Sequence, residues 1–177
     1  MEVYGDMEYY FYDTDAMGVE DYDIRDEEYK RLIHACCHFS DYFSLAIWNE
    51  ESRVVALLKK YEIKEKKAIH PRYQFWNEKK QCWSPYVNCF YSVCEETRDI
   101  LLQSVQGIFD WYKWSDGPGG EDLCFYRKDG TLFFSSVIHD GELILSPLEN
   151  EQLFEWISGD NWTEERWVTN YGDLPAE

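Results

Sequence analysis

Leu123-Cys124-Phe125-Tyr126-Arg127-Lys128-Asp129-Gly130-Thr131-Leu132-Phe133-Phe134-Ser135-Ser136-Val137-Ile138-His139-Asp140-Gly141-Glu142-Leu143-Ile144-Leu145 decides how this chain folds. Three β-prone runs, 123–128, 131–139 and 142–145, are separated by Asp129-Gly130 and Asp140-Gly141. Asp-Gly pairs supply the positive φ that tight hairpin turns require. The stretch therefore predicts a three-stranded antiparallel meander towards the C-terminal end.

Outward from the meander, helical signals alternate with strands. Downstream, Ser146-Pro147-Leu148-Glu149 reads as a capping box with Pro at the first helical position. Its helix is expected to run to Ser158, with Gly159 as the stop. Upstream, Gly117-Pro118-Gly119-Gly120 closes a helix that carries Leu101, Val105, Ile108 and Tyr112 and that Ser92-Val93-Cys94-Glu95 should cap. Arg72 to Trp76 and Trp83 to Tyr91 read as two strands around a polar loop. Asn49 is the expected cap of a helix with Val54, Leu57, Leu58 and Tyr61 at i, i+3, i+4 and i+7, and the lysine-rich run 59–67 is read as its solvated face and following loop. Residues 42–48 read as a strand, and 7–12 as a short one. From Asp26 as a possible cap, Tyr29, Leu32, Ile33, Cys36 and Cys37 recur at helical spacing. The expected class is α+β: a mainly antiparallel sheet, about four helices on one face, and one domain over 1–177.

The chain has 177 residues, 32 of them aromatic, and 45% are hydrophobic. That suffices for a packed core and excludes wholesale disorder. No apolar run approaches the ~20 residues that span a bilayer, and the first residues are acidic where a secretion signal is basic. A cytoplasmic location without membrane contact follows as the expectation. Six cysteines, without a signal for an oxidising compartment, read as reduced thiols.

The charge is unevenly placed. Residues 1–28 hold 11 acids and one base, and residues 149–177 hold 8 acids and one base. The ends thus carry −10 and −7 of a total of −18, and the body between them is nearly neutral. Direct nucleic-acid binding is disfavoured, because phosphates are met by Lys and Arg. Basic proteins are the partners such ends attract. Acid by itself also serves solubility. Solvated acidic tails are nevertheless poor in rings, whereas these ends interleave carboxylates with aromatics. The candidate partner-binding residues are Tyr10, Tyr12, Asp13, Asp15, Glu20, Asp21, Tyr22 and Asp23 in the first end, and Trp162, Glu164, Glu165 and Trp167 in the second. Rings would serve as anchors and carboxylates as a steering rim; equally, the rings would fit against the protein's own core.

Other constellations carry less. His34, Cys37 and His38 share a helix face at a spacing that suits zinc, but a complete ligand set does not follow elsewhere, and Cys37 also fits the apolar stripe. Cys124 and His139 fit a thiol and its base by residue type, yet Cys124 lies between Leu123 and Phe125 in an apolar strand. Asp13-x-Asp15-x-Met17-Gly18 lacks the twelfth-position Glu of a calcium loop, since position 24 is Ile. Gly117-Pro118-Gly119-Gly120 lacks the Lys-Ser/Thr of a phosphate cradle. No cofactor, metal or catalytic residue is assigned, and an enzyme is not expected.

The segment Gly120-Glu121-Asp122-Leu123-Cys124-Phe125-Tyr126-Arg127, with Asp129-Gly130, Phe133-Phe134-Ser135-Ser136-Val137 and His139-Asp140, resembles small standalone bacterial proteins suspected of being immunity partners of polymorphic toxins. Cys37-x-x-Ser40-Asp41-Tyr42-Phe43-Ser44-Leu45 and Phe109-Asp110-Trp111 are similar to that pattern too, and together they cover about a third of the chain. Asp140 stands where the pattern has Glu and Gly120 where it has Pro; residues 1–25 and 160–177 lie outside it. The resemblance implies a binding protein of the immunity or antitoxin kind that covers the cleft of a basic partner, such as a nuclease toxin, and it brings no catalytic residues. Two alternatives stand beside it: a phage or mobile-element protein that mimics DNA or blocks a defence component, and a small Cys/His enzyme or metal protein.

Overall fold

A computed structural model describes residues 7–12, 24–66, 68–77, 81–111, 117–138, 141–157 and 162–167. Eight strands form one sheet: β1 (Met7–Tyr12), β2 (Tyr42–Ile47), β3 (Ala68–Asn77), β4 (Cys82–Ser92), β5 (Gly120–Tyr126), β6 (Leu132–Val137), β7 (Glu142–Leu145) and β8 (Trp162–Trp167). Their spatial order is β3-β4-β2-β5-β6-β7-β1-β8, and every neighbouring pair is antiparallel. The chain is α+β, as the sequence predicts.

The meander is present as β5-β6-β7, but it is not the end of the sheet: β1 and then β8 continue it. Its first turn closes as Asp-Gly chemistry requires. Gly130 has φ +92°, its N–H reaches the Arg127 carbonyl, and Asp129 Oδ1 accepts from both Thr131 N and Thr131 Oγ1 at 2.9 and 2.7 Å. At the second turn Gly141 has φ +69°, while His139 and Asp140 lie outside the described residues.

Three α-helices are described, not four: α1 (Asp26–Phe39), α2 (Arg53–Leu58) and α3 (Glu95–Ser104). α1 buries Tyr29, Leu32, Ile33, Ala35 and Cys36, the stripe its spacing predicts. The Tyr29 hydroxyl donates to the Leu101 carbonyl at 3.2 Å and accepts from Trp111 Nε1 at 3.3 Å, which ties α1 to α3 and to the turn at 108–111. Burial holds that phenol far above its ordinary pKa. The hydrophobic cluster extends over β2, where Phe43 stands between Tyr91 and Phe125 with ring centroids 5.3 and 5.5 Å apart. On the other face of the same strands Tyr42, Phe90 and Tyr126 pack together, so all six residues of β2 are buried.

The expected helix starts shift, each for a local reason. Asp26 does not cap α1; it is the first helical residue at φ +51°, and its N–H reaches the Gln106 carbonyl. Ser52 rather than Asn49 caps α2: its Oγ accepts from Val55 N at 3.1 Å, while Asn49 Oδ1 accepts from Glu51 N. α2 ends at Leu58, and the face it buries is Val55 and Leu58, leaving Leu57 46% exposed. Residues 59–66 follow as two single 3-10 turns. At α3 the box sits two residues later, with Thr97 Oγ1 accepting from Cys94 N at 2.9 Å. That helix stops at Ser104; Val105 is extended, Ile108 lies in a separate 3-10 turn, and Tyr112 is outside the described residues.

The helix expected over 147–158 is not formed in its described part, 147–157. In its place are a turn at 148–151 and a 3-10 turn, Leu153–Glu155. Glu151 carries the reason. Its carboxylate binds Arg127 in a bidentate pair at 2.9 and 2.5 Å, and Oε2 also accepts from Leu148 N.

Candidate protein-binding edge

The two acidic, ring-bearing ends, 1–28 and 149–177, are separated by 120 residues of sequence, yet each contributes a strand to the same margin of the sheet. β1 pairs with β8 along its whole length, from Met7 opposite Trp167 to Tyr12 opposite Trp162. Tyr10 stands opposite Glu164, and Tyr9 opposite Glu165. β7 holds the inner side of β1, with Tyr10 opposite Leu145 and Tyr12 opposite Leu143, both of which are fully buried. β8 is therefore the outermost strand at this end.

Of the twelve sequence-predicted binding residues, six fall on this pair of strands: Tyr10 and Tyr12 on β1, and Trp162, Glu164, Glu165 and Trp167 on β8. Asp13, Asp15, Glu20, Asp21, Tyr22 and Asp23 lie outside the described residues. Trp162 is partly buried and packs against the hydrophobic cluster. Its ring thus fastens β8 to the protein's own core, the second of the two roles the composition allows for these aromatics. A strand at 162–167 escapes sequence reading because Trp-Thr-Glu-Glu-Arg-Trp has no period-2 alternation; the one signal is a tryptophan at each end.

The Cys/His constellations come out differently. His38 stacks on Trp156 with centroids 4.5 Å apart, and among the described residues no group of three or more His, Cys, Asp or Glu side chains could hold a metal ion. Burial pushes the Cys37 thiol up to about 12, holds Cys36 well above its ordinary value, and raises Cys124 to about 11. Cys124 Sγ also lies 3.4 Å from the Asp122 carbonyl. A thiol with so little thiolate at neutral pH is a poor nucleophile. His139, its candidate base, is outside the described residues.

Sequence reasoning also missed an open cleft of about 390 Å³ lined by Arg25, Ser52, Arg53, Ser104, Gln106 and Asp110, among others. Most of its polar groups are already engaged. Arg25 is held in a bidentate pair by Asp110 at 3.0 and 3.1 Å, and Asp110 Oδ2 also accepts from Gln106 N and Gly107 N. Ser52 Oγ donates to the Pro118 carbonyl and Ser104 Oγ to the Ile100 carbonyl. These bonds fix the loops on either side of the cleft, which gives them a structural role.

No family model, no curated protein and no solved structure matches this chain.

Proposed function

We propose that the protein is a cytoplasmic inhibitor of the immunity or antitoxin kind, which binds a basic protein such as a nuclease toxin and covers its cleft. The observation that supports this reading most is the pairing of β1 with β8. It brings one strand from each of the two acidic stretches, 1–28 and 149–177, together at one margin of the sheet. A field of one sign gathered at one margin steers an oppositely charged partner and raises its association rate. In the inhibited complex, carboxylates from these ends take the places where the partner would receive phosphates, and rings such as Tyr10, Tyr22 and Trp167 provide the contact area.

Affinity capture from nuclease-treated host lysate, eluted in salt steps, tests the reading. The expected product is a basic protein in stoichiometric amount, released only at raised salt. Nothing retained at low salt would overturn it. With that protein purified, Asp21→Asn together with Asp23→Asn is expected to slow association by roughly threefold to tenfold at low salt and to flatten its salt dependence. Unchanged association rates would remove the steering role.

A further inference from the structure

The two outer strands of the sheet are guarded very differently. β3 contains Pro71, its pairing with β4 shifts register between Ile69 and Gln74, and residues 59–80 around it carry eight Lys/Arg against three Asp/Glu. Proline, irregular pairing and lysine are the devices that stop an outer strand from recruiting another chain. β8 has neither of the first two. All six of its residues keep continuous register with β1, it contains no proline, and among the described residues nothing pairs with its outer side. A regular, unpaired outer strand is a template for strand addition.

Its sequence restricts what can be added. A second copy of β8, paired about a two-fold axis through the middle of Trp-Thr-Glu-Glu-Arg-Trp, would set Glu164 against Glu165 twice. Like charges directly opposed across strands are unfavourable. The other outer strand of a second copy, β3, is the guarded one. An extended segment rich in Lys or Arg meets neither obstacle, since its cations would lie beside Glu164 and Glu165.

We propose that β8 accepts an extended basic segment of the partner as a ninth strand. Main-chain hydrogen bonds to residues 162–167 supply the affinity, and Glu164 and Glu165 select the sign of charge. The partner's identity as a basic protein rests on the inhibitor reading, but the strand-accepting property can be tested without it.

The probe is a short synthetic peptide alternating lysine with valine or threonine, compared with the same peptide carrying glutamate for each lysine. Amide hydrogen exchange of the whole protein reads the outcome. The lysine peptide is expected to slow exchange within 162–167 by about tenfold or more, and the glutamate peptide to leave it unchanged. A lysine peptide N-methylated at alternate amides should lose the protection. Glu164→Lys with Glu165→Lys should exchange the two preferences. Unchanged exchange at 162–167, or equal protection by both charges or by the N-methylated peptide, would overturn the proposal. If a basic partner is captured while no peptide adds to β8, the added strand falls and the inhibitor reading stands. A peptide that adds where no partner is captured leaves the strand-accepting site standing without the inhibitor reading.

Discussion

The two ends of β5 bury charge in opposite ways. Just after the strand, Arg127 is only 8% exposed, and its guanidinium makes four hydrogen bonds. It binds both oxygens of Glu151, donates to the Leu132 carbonyl at 2.8 Å and the Ser146 carbonyl at 2.7 Å, and lies over the Phe133 ring. At the start of the strand, Glu121 and Asp122 are 2% and 8% exposed, two acids side by side. Asp122 sits at φ +53°, where the pairing with β2 shifts register, and its Oδ1 accepts from Ile138 N at 2.9 Å. At Glu121 burial dominates: it pushes the carboxyl up to about 7, with Asp122 adding to the rise and a hydrogen bond with the Tyr86 side chain only partly opposing it. A buried ion keeps its charge where hydrogen-bond partners converge on it; elsewhere it tends towards its neutral form.

The largest test of this contrast removes the satisfied cation. Arg127→Ala strands the Glu151 carboxylate in a half-dry site and leaves the Ser146 and Leu132 carbonyls short of a donor. A loss of about 3–5 kcal/mol in denaturant unfolding is expected. Arg127→Met combined with Glu151→Leu should recover most of that loss, since replacing both ions by apolar groups removes the desolvation cost along with the attraction. If the single substitution cost under about 1 kcal/mol, the site would be solvated, and the contrast with Glu121 would collapse.

That same ion pair shows why part of the fold was legible in the sequence and part was not. Asp129-Gly130 and the α1 stripe are local: turn chemistry and helical spacing suffice, and both elements formed where expected. Ser146-Pro147-Leu148-Glu149 also looked local, but Glu151 is claimed by Arg127, 24 positions earlier, and the segment turns instead of continuing as a helix. The capping residues of α2 and α3 slipped for a milder version of the same reason, because several nearby Ser, Thr and Asn side chains compete for the first turn. For the candidate binding edge, the sequence supplied composition without geometry. It marked the acidic rings at both ends, while the register of β1 on β8 depends on β7 presenting its other side to β1.

A middle-sized effect separates the two acids from each other. Asp122→Ala deletes the acceptor of a buried backbone N–H and places a Cβ residue without polar compensation at positive φ. About 1–3 kcal/mol of destabilisation is expected. Asp122→Asn should lose less, because the amide oxygen still accepts from Ile138 N and asparagine tolerates the left-handed region. Equal losses for Ala and Asn would mean that the carboxylate's charge, and not its acceptor, holds the bulge.

The smallest effect is the most specific, because it depends on pH. Glu121 in the folded protein releases its proton near 7, against about 4.5 for the exposed carboxyl of an unfolded chain. Between those values the folded state binds more protons than the unfolded one, so this group's contribution to stability falls as pH rises, and above about 7 its cost is fully present. Glu121→Gln fixes the neutral form while preserving an acceptor oxygen. The variant should match the wild type near pH 5 and exceed it by on the order of 1–2 kcal/mol near pH 8, a figure below the full linkage value to allow for residual solvation. Unfolding curves of both proteins across that range give the difference directly, and the other 34 acids, common to both, cancel from it. A difference that stayed flat with pH would mean that Glu121 is ionised at little cost, and that the start of β5 resembles the Arg127 end after all.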